Sequence, residues 1–377
     1  MTQPFPVPDP VTPHWLSAAL GASGVLGRGA VEAVEWEPTA AFNSATVRLR
    51  VRYSADVPAG APTRLILKRN IAEEWAREAG ADEVRFYALV ASLADHPPVT
   101  VPHYAAAHDA ESGDSYLLLR DLSTTHRPPI TRDQQVGIVE GVPDAAHIAA
   151  VVETLAQLHA YWWEHPLLDS GRLEVGYWSR TRQRFEEYLR RRTTSWRRVL
   201  AREGTGLPAD VRALYERVLA RLPAHWERSL RPRFEARHHL TLIHGDAYFA
   251  NFLCPDPPGT GSTYLLDWQS PGVDIGGYDL ANLCATFWTP EQRHEGGREE
   301  GILRRYHATV RAHGVSEYAW EDLLADYRLG LIYWLLVPVQ DAADGARVDY
   351  WWPKMQCLVA AFREWGCEEA LAPEDAR

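Results

Sequence analysis

Apolar and polar side chains alternate over residues 46–53. Val47, Leu49, Val51 and Tyr53 point one way and Arg48, Arg50 and Arg52 the other, as in a half-buried strand. Strand-like runs also cover residues 31–36 and 65–68, the latter reading Leu-Ile-Leu-Lys. Thr12 and Pro13 supply a cap and first turn for a helix ending at Leu20. Residues 73–93 read as a helix with Val84, Tyr87, Leu89 and Val90 on its apolar side. Residues 103–108 and 115–120 form a hairpin turned at Glu111-Ser112-Gly113-Asp114.

Beyond Asp121 the pattern changes. Residues 122–143, rich in Thr, Pro and Gly, read as a linker or exposed insertion. Helical periodicity then dominates residues 144–163, 180–202, 208–229, 277–287, 301–313, 320–337 and 347–365. A strand at 240–243 and a short hairpin around 256–263 interrupt it. No internal repeat is visible. The expected architecture is α+β: a small β-rich lobe with one helix over residues 1–121, the 122–143 connection, and a larger helical lobe over 144–377.

A length of 377 residues favours more than one core, and 46% hydrophobic with 24% charged residues is globular composition. The net charge of -11 argues against nucleic acid or an anionic membrane as partner and fits a neutral or cationic small molecule better. Four cysteines without CxxC or ligand spacing read as free thiols in a reducing compartment. Residues 1–13 lack the make-up of a signal peptide, and the longest apolar run, 329–339, holds Pro338 and is too short to span a bilayer. A cytoplasmic protein is expected, its oligomeric state open.

The candidate chemistry lies at His244-Gly245-Asp246, with Asn251 five residues after the aspartate and Asp267 sixteen further on. An Asp that accepts a hydroxyl proton, followed at that spacing by an Asn that ligates a metal, is the arrangement of a phosphoryl-transfer loop. Asp267 ends an apolar run, Tyr264-Leu265-Leu266, and so offers a second carboxylate for magnesium. Of 39 basic residues only Lys68 and Lys354 are lysine. Lys68 closes the third strand, where a compact charge would meet phosphates, and Glu83 on the next helix is its candidate partner ahead of Glu73, Glu74 and Glu78. Lys354 reads as an accidental survivor. A phosphate-covering turn is expected over residues 40–46, with the Ser44 hydroxyl as donor, and the backbone of Asp121 and Leu122 at the lobe crossover is where a base would bond. Asp279 caps a helix or braces the catalytic loop, His159 is a packed histidine, and the nine arginines of 180–202 read as a solvated helix face, with an anion-binding patch as the alternative. Trp162, Trp163, Trp334, Trp351 and Trp352 are mostly core, with one or two available to line a pocket for a cation or an apolar ring.

Leu242-Ile243-His244-Gly245-Asp246 through Asn251, Leu265-Leu266-Asp267-Trp268-Gln269 and Gly276–Ala281 resemble the aminoglycoside phosphotransferase and choline kinase-like superfamily. Glu83 to Tyr87 and Leu118 to Leu122 add to the likeness, and Asp-Trp-Gln with the Ser44 loop resembles its ecdysteroid kinase-like branch. Tyr248 and Arg120 depart from the common pattern, which has His or Trp at the first and an acidic residue at the second. The resemblance implies a bilobal, protein kinase-like fold. It further implies ATP- and magnesium-dependent phosphorylation of a small-molecule hydroxyl, with Asp246 as base, Asn251 and Asp267 as magnesium ligands and Lys68 as phosphate anchor. An aminoglycoside, an amino alcohol, a sugar or a hydroxylated apolar molecule all remain open as acceptor. A protein kinase would need an activation segment ending in Ala-Pro-Glu after Asp267, and residues 272–279 are too short for one. A catalytically idle nucleotide-binding module would have lost one of Lys68, Asp246, Asn251 or Asp267, and all four stand.

Overall fold

The computed structural model describes residues 4–39, 44–137, 141–170, 181–203 and 206–372. They fall into two compact units. Met1–His126 and Tyr264–Ser270 make the first; Arg127–Thr263 and Pro271–Arg377 make the second. Residues 40–43 of the expected phosphate-covering turn, 138–140 of the expected connection and the arginine at 180 lie outside the described residues.

The first unit is an antiparallel sheet with a helix on each face. In it α1 (Pro13–Gly21) is followed by β1 (Val31–Pro38), β2 (Ser44–Tyr53), β3 (Arg64–Asn70), α2 (Glu74–Ala91), β4 (His103–His108) and β5 (Ser115–Arg120). Thr12 accepts a hydrogen bond from the Trp15 N–H at 3.3 Å and so caps α1. The strand order is β1-β2-β3-β5-β4, which makes β3 the central strand. Leu49, Leu65, Leu67 and Leu118 join Trp15, Leu16 and Leu20 of α1 in one core. Side chains alternate along a strand, so Lys68, next to Leu67, is carried to the opposite face, where α2 packs. Residues 264 and 265 enter this unit through a parallel bridge between Thr100 and Leu265 and a bond from the Leu265 N–H to the Val99 carbonyl at 2.7 Å.

The second unit is built on helices Ala145–Tyr161, Arg182–Glu203, Ala209–His225, Gly277–Ala285, Arg298–Ala312, Trp320–Trp334 and Val348–Glu364. Two short antiparallel strands, Thr241–Ile243 and Gly272–Asp274, lie among them with Leu242 opposite Val273. Helices Gly277–Ala285 and Trp320–Trp334 touch backbone to backbone. A Cβ on Gly277 would fall 2.2 Å from the Asp326 carbonyl oxygen, and one on Gly330 would fall 2.2 Å from that of Gly277. No larger residue fits that crossing without moving a helix.

Several expectations change here. The helix expected through residue 337 ends at Trp334, and a new one, Val337–Ala343, begins with Pro338 in its first turn, where a missing N–H costs nothing. Part of the 122–143 stretch is folded: Thr131 and Gln134 form a capping box for a helix at Arg132–Val136. Its Gln135 is fully buried and accepts a bond from the Ala250 N–H at 3.0 Å. Short helices at Pro290–His294 and Cys367–Leu371 had no clear periodicity to announce them. All four cysteines are buried and unbridged. Among the described residues no helix is long and apolar enough to cross a membrane.

Candidate active site

In the first unit Lys68 is bonded to two carboxylates. Its Nζ lies 2.7 Å from Glu83 Oε2, 2.9 Å from Glu83 Oε1 and 2.6 Å from Asp267 Oδ1. Glu83 is buried within α2, whereas Glu73, Glu74 and Glu78 are exposed. The Trp268 N–H donates to Glu83 Oε1 at 3.2 Å, which ties the segment after Leu265 to the same carboxylate. Burial alone would lower the pKa of Lys68, but the Glu83 and Asp267 charges outweigh it and raise it, so the ammonium stays charged. Burial pushes the Glu83 carboxyl up, and Lys68 pulls against that.

Asp267 sits in left-handed backbone, with φ of 63°. Aspartate tolerates this region better than most residues, and departures of this kind collect at functional sites. Trp268 anchors the strained turn. Its ring stacks on Phe86 with centroids 3.8 Å apart, and its Nε1 donates to the Leu265 carbonyl at 3.2 Å. One Asp267 oxygen is spent on Lys68, while the side chain remains 35% exposed and able to take a further electrophile.

In the second unit the loop after Thr241–Ile243 presents Asp246. Gly245 has φ of 82°, a conformation that suits glycine. Asp279, wholly buried in helix Gly277–Ala285, accepts from the His244 N–H at 2.7 Å and the Gly245 N–H at 2.9 Å. It therefore braces the loop, and His159 is packed against it with Nε2 at 3.2 Å and Nδ1 at 2.7 Å from Tyr306 Oη. The Asn251 amide nitrogen donates to the Asp246 carbonyl at 2.9 Å and to Asp246 Oδ2 at 3.2 Å. Both partners are acceptors, so the amide must present its nitrogen to them and turn Oδ1 elsewhere.

Sequence reasoning did not single out Asn282. One turn beyond Asp279, it donates from Nδ2 to Asp246 Oδ1 at 3.3 Å while its own Oδ1 is buried without a partner. Lys354, read as an accident, is instead buried. It is bonded to Asp341 Oδ2 at 2.9 Å and lies within 5.4–5.8 Å of the ring centres of Tyr350, Phe287 and Trp334.

The remaining expected residues are placed as follows. The Ser44 hydroxyl, at the start of β2, is 3.0 Å from that of Thr46. The Asp121 carboxylate is held by Arg48 at 3.1 Å and Arg64 at 3.0 Å. The Asp121 N–H donates to the Arg64 carbonyl, and the Leu122 carbonyl accepts from the N–H groups of Thr125 and His126. A base at this pair therefore has at most the Asp121 carbonyl and the Leu122 N–H to bond. Tyr248 packs at 5.6 Å from Phe287. Among the described residues no three His, Cys, Asp or Glu groups cluster as a closed metal cage. Oxygen donors in ones and twos are what magnesium takes when phosphates and water complete its shell, and Asp267 and Asn251, each within its own unit, are donors of that kind.

A family model described as the phosphotransferase enzyme family matches residues 49–329. Among solved structures, choline kinase LicA of Streptococcus pneumoniae superimposes with a TM-score of 0.50 at 16% identity, over 89% of this chain and 94% of that one. A choline kinase of Cryptosporidium parvum Iowa II gives 0.54 at 12% identity, over 91% and 92%. A variant aminoglycoside 2′-phosphotransferase IIIa, solved with GDP, gives 0.51 at 11% identity, over 91% and 94%. At these identities the likeness is one of fold. No curated protein matches the sequence.

Proposed function

This chain belongs to the phosphotransferase enzyme family, and we propose that it transfers the γ-phosphoryl group of ATP to a hydroxyl of a small molecule. The observation that carries this reading is the Lys68 node. One buried carboxylate, Glu83, fixes the lysine, and a second, Asp267, is held beside it yet left partly open. A structural ion pair needs no third charged member. A phosphate anchor next to a magnesium ligand does.

Lys68 would bond the α- and β-phosphate oxygens and spread their charge. Asp267 and the Asn251 amide oxygen would each give magnesium a ligand, and an ion held there would offset charge on the transferring phosphoryl group. Asp246, its two oxygens steadied by Asn251 and Asn282, would align the acceptor hydroxyl and take its proton. The acceptor oxygen forms its bond to phosphorus as the bond from phosphorus to the β,γ-bridging oxygen breaks, and ADP leaves with that electron pair. Asp279 has no reacting partner in this scheme; it holds the His244–Gly245 backbone so that Asp246 stays aimed.

Nucleotide consumption is measured against the four acceptor classes on wild type and Asp246→Ala, with GTP beside ATP since one fold relative was solved with GDP. Turnover with at least one class is expected, falling by about 10²–10⁴ in the variant. Turnover that survives the substitution removes Asp246 from the reaction. No turnover together with no magnesium-dependent ATP binding overturns the reading.

A further inference from the structure

We propose that Lys354 is a specificity residue. It fills an aromatic box that packs on the catalytic loop through Phe287 and Tyr248 with the chain's own ammonium group, so that acceptors with an ammonium group next to the hydroxyl are turned away and uncharged hydroxyl compounds are taken. Its role in choosing acceptors rests on the phosphotransfer reading.

The box is built by residues that also frame the catalytic loop. Phe287 lies just past helix Gly277–Ala285, which carries Asp279 and Asn282, and packs 5.6 Å from Tyr248. Trp334 donates from Nε1 to the Tyr278 carbonyl at 2.9 Å and packs 5.1 Å from its ring. Tyr350 is on helix Val348–Glu364 with Lys354 itself. The Lys354 nitrogen stands over all three rings, 5.4 Å from Tyr350, 5.6 Å from Phe287 and 5.8 Å from Trp334. These are distances at which a ring face attracts a cation.

The charges agree. Burial alone would lower the pKa of Lys354, but Asp341 first, then Tyr350, with Asp246 contributing, raises it and keeps the group protonated. The Asp341 carboxylate and three ring faces with the lysine removed are a ready receptor for a soluble ammonium ion. With the lysine present the place is occupied and a second cation meets like charge. An apolar side chain would fill the same space without the cost of burying a charge, so packing alone does not call for lysine. Excluding a class of ligand by a like charge is a direct route to selectivity. Polycationic aminoglycosides and amino alcohols are thus the acceptors this site disfavours; sugars and hydroxylated apolar compounds remain.

The test titrates tetramethylammonium and choline into wild type and Lys354→Ala by calorimetry, with thermal melting and Mg-ATP binding read on the same samples. Lys354→Ala is expected to gain about tenfold or more in affinity for both ions over wild type. Should it fail to fold, Lys354→Gln keeps the link to Asp341 without the charge and is expected to show a gain of the same sign. The proposal is overturned if wild type binds either ion as tightly as a folded variant, or if wild type phosphorylates choline. Failure of wild type to bind Mg-ATP would count against the phosphotransfer reading alone, since the ammonium titration needs no turnover.

Discussion

Replacing Lys68 by methionine tests whether the lysine compensates the buried charge of Glu83. Its side chain is 15% exposed and that of Glu83 only 4%, with a nitrogen–oxygen separation of 2.7 Å. At an effective dielectric of about 20, opposite charges at that distance attract by about 6 kcal/mol, from which the desolvation of both groups must be subtracted. Breaking such a pair on one side strands the other charge and costs about 3–5 kcal/mol. After Lys68→Met, Glu83 keeps only the Trp268 N–H among the bonds described for it. Asp267, a third exposed, is screened by water and adds little. Lys68→Met is therefore expected to lose about 3–5 kcal/mol in urea titrations followed by tryptophan fluorescence. Lys68→Met with Glu83→Gln, where the amide still accepts from Trp268, should return to within about 2 kcal/mol of wild type. Both should lose turnover. In the single variant only the Trp268 N–H opposes the upward push of burial on Glu83. A carboxyl whose folded pKa lies above its unfolded value destabilises as pH rises, so the deficit should shrink on acidification toward about pH 4.3. A single variant within about 1 kcal/mol of wild type, or a double variant no more stable than the single one, would refute this account.

Asp279→Ala removes the acceptor of two backbone N–H groups, one buried and one part-buried, and is expected to cost about 2–4 kcal/mol in the same titration and to abolish turnover; a loss under about 1 kcal/mol would contradict the bracing role. Asn282→Leu gives up one 3.3 Å bond but also an orphaned buried oxygen. Its stability should stay within about 1 kcal/mol while kcat falls about tenfold or more with KM little changed; unchanged kcat would free Asp246 from that contact. Burial first, then the Arg228 charge, lowers the pKa of His225 to about 4. The unfolded chain then binds the extra proton between pH about 6.5 and 4, so stability is whole above that window and falls through it by about 3 kcal/mol, a slope that His225→Leu should flatten.

Much of this was legible because the chemistry sits on short spacings. Asp246 to Asn251 is one loop, and Leu67-Lys68 needed only the alternation of a strand. Glu83 carried a clearer signal than its neighbours offered. Ala76, Gly80, Glu83, Tyr87 and Val90 repeat at intervals of four and three and are all buried, so a glutamate within that stripe has to face a partner. The same reasoning applies to Lys354, in the stripe with Trp351, Met355, Leu358 and Phe362, and rarity alone did not show it. Asn282 was hidden because its meaning depends on where a loop far away in sequence places Asp246. Gln135 was lost in a stretch whose threonines, prolines and glycines resemble a linker, although its burial ties that stretch to Ala250.

The first unit is not one continuous piece of chain. Asp267 lies 199 positions after Lys68 in the sequence, so during synthesis the strands β1–β5 are made before the carboxylate that completes their lysine. Closing so long a loop is a late, entropically unfavourable event. A fragment ending at residue 126 would thus carry Lys68 and Glu83 as a simple pair, without the carboxylate proposed as a metal ligand. On the proposed function, competence to handle the nucleotide then arrives only after more than two-thirds of the polypeptide has been made, a built-in delay between having a shape and having a chemistry.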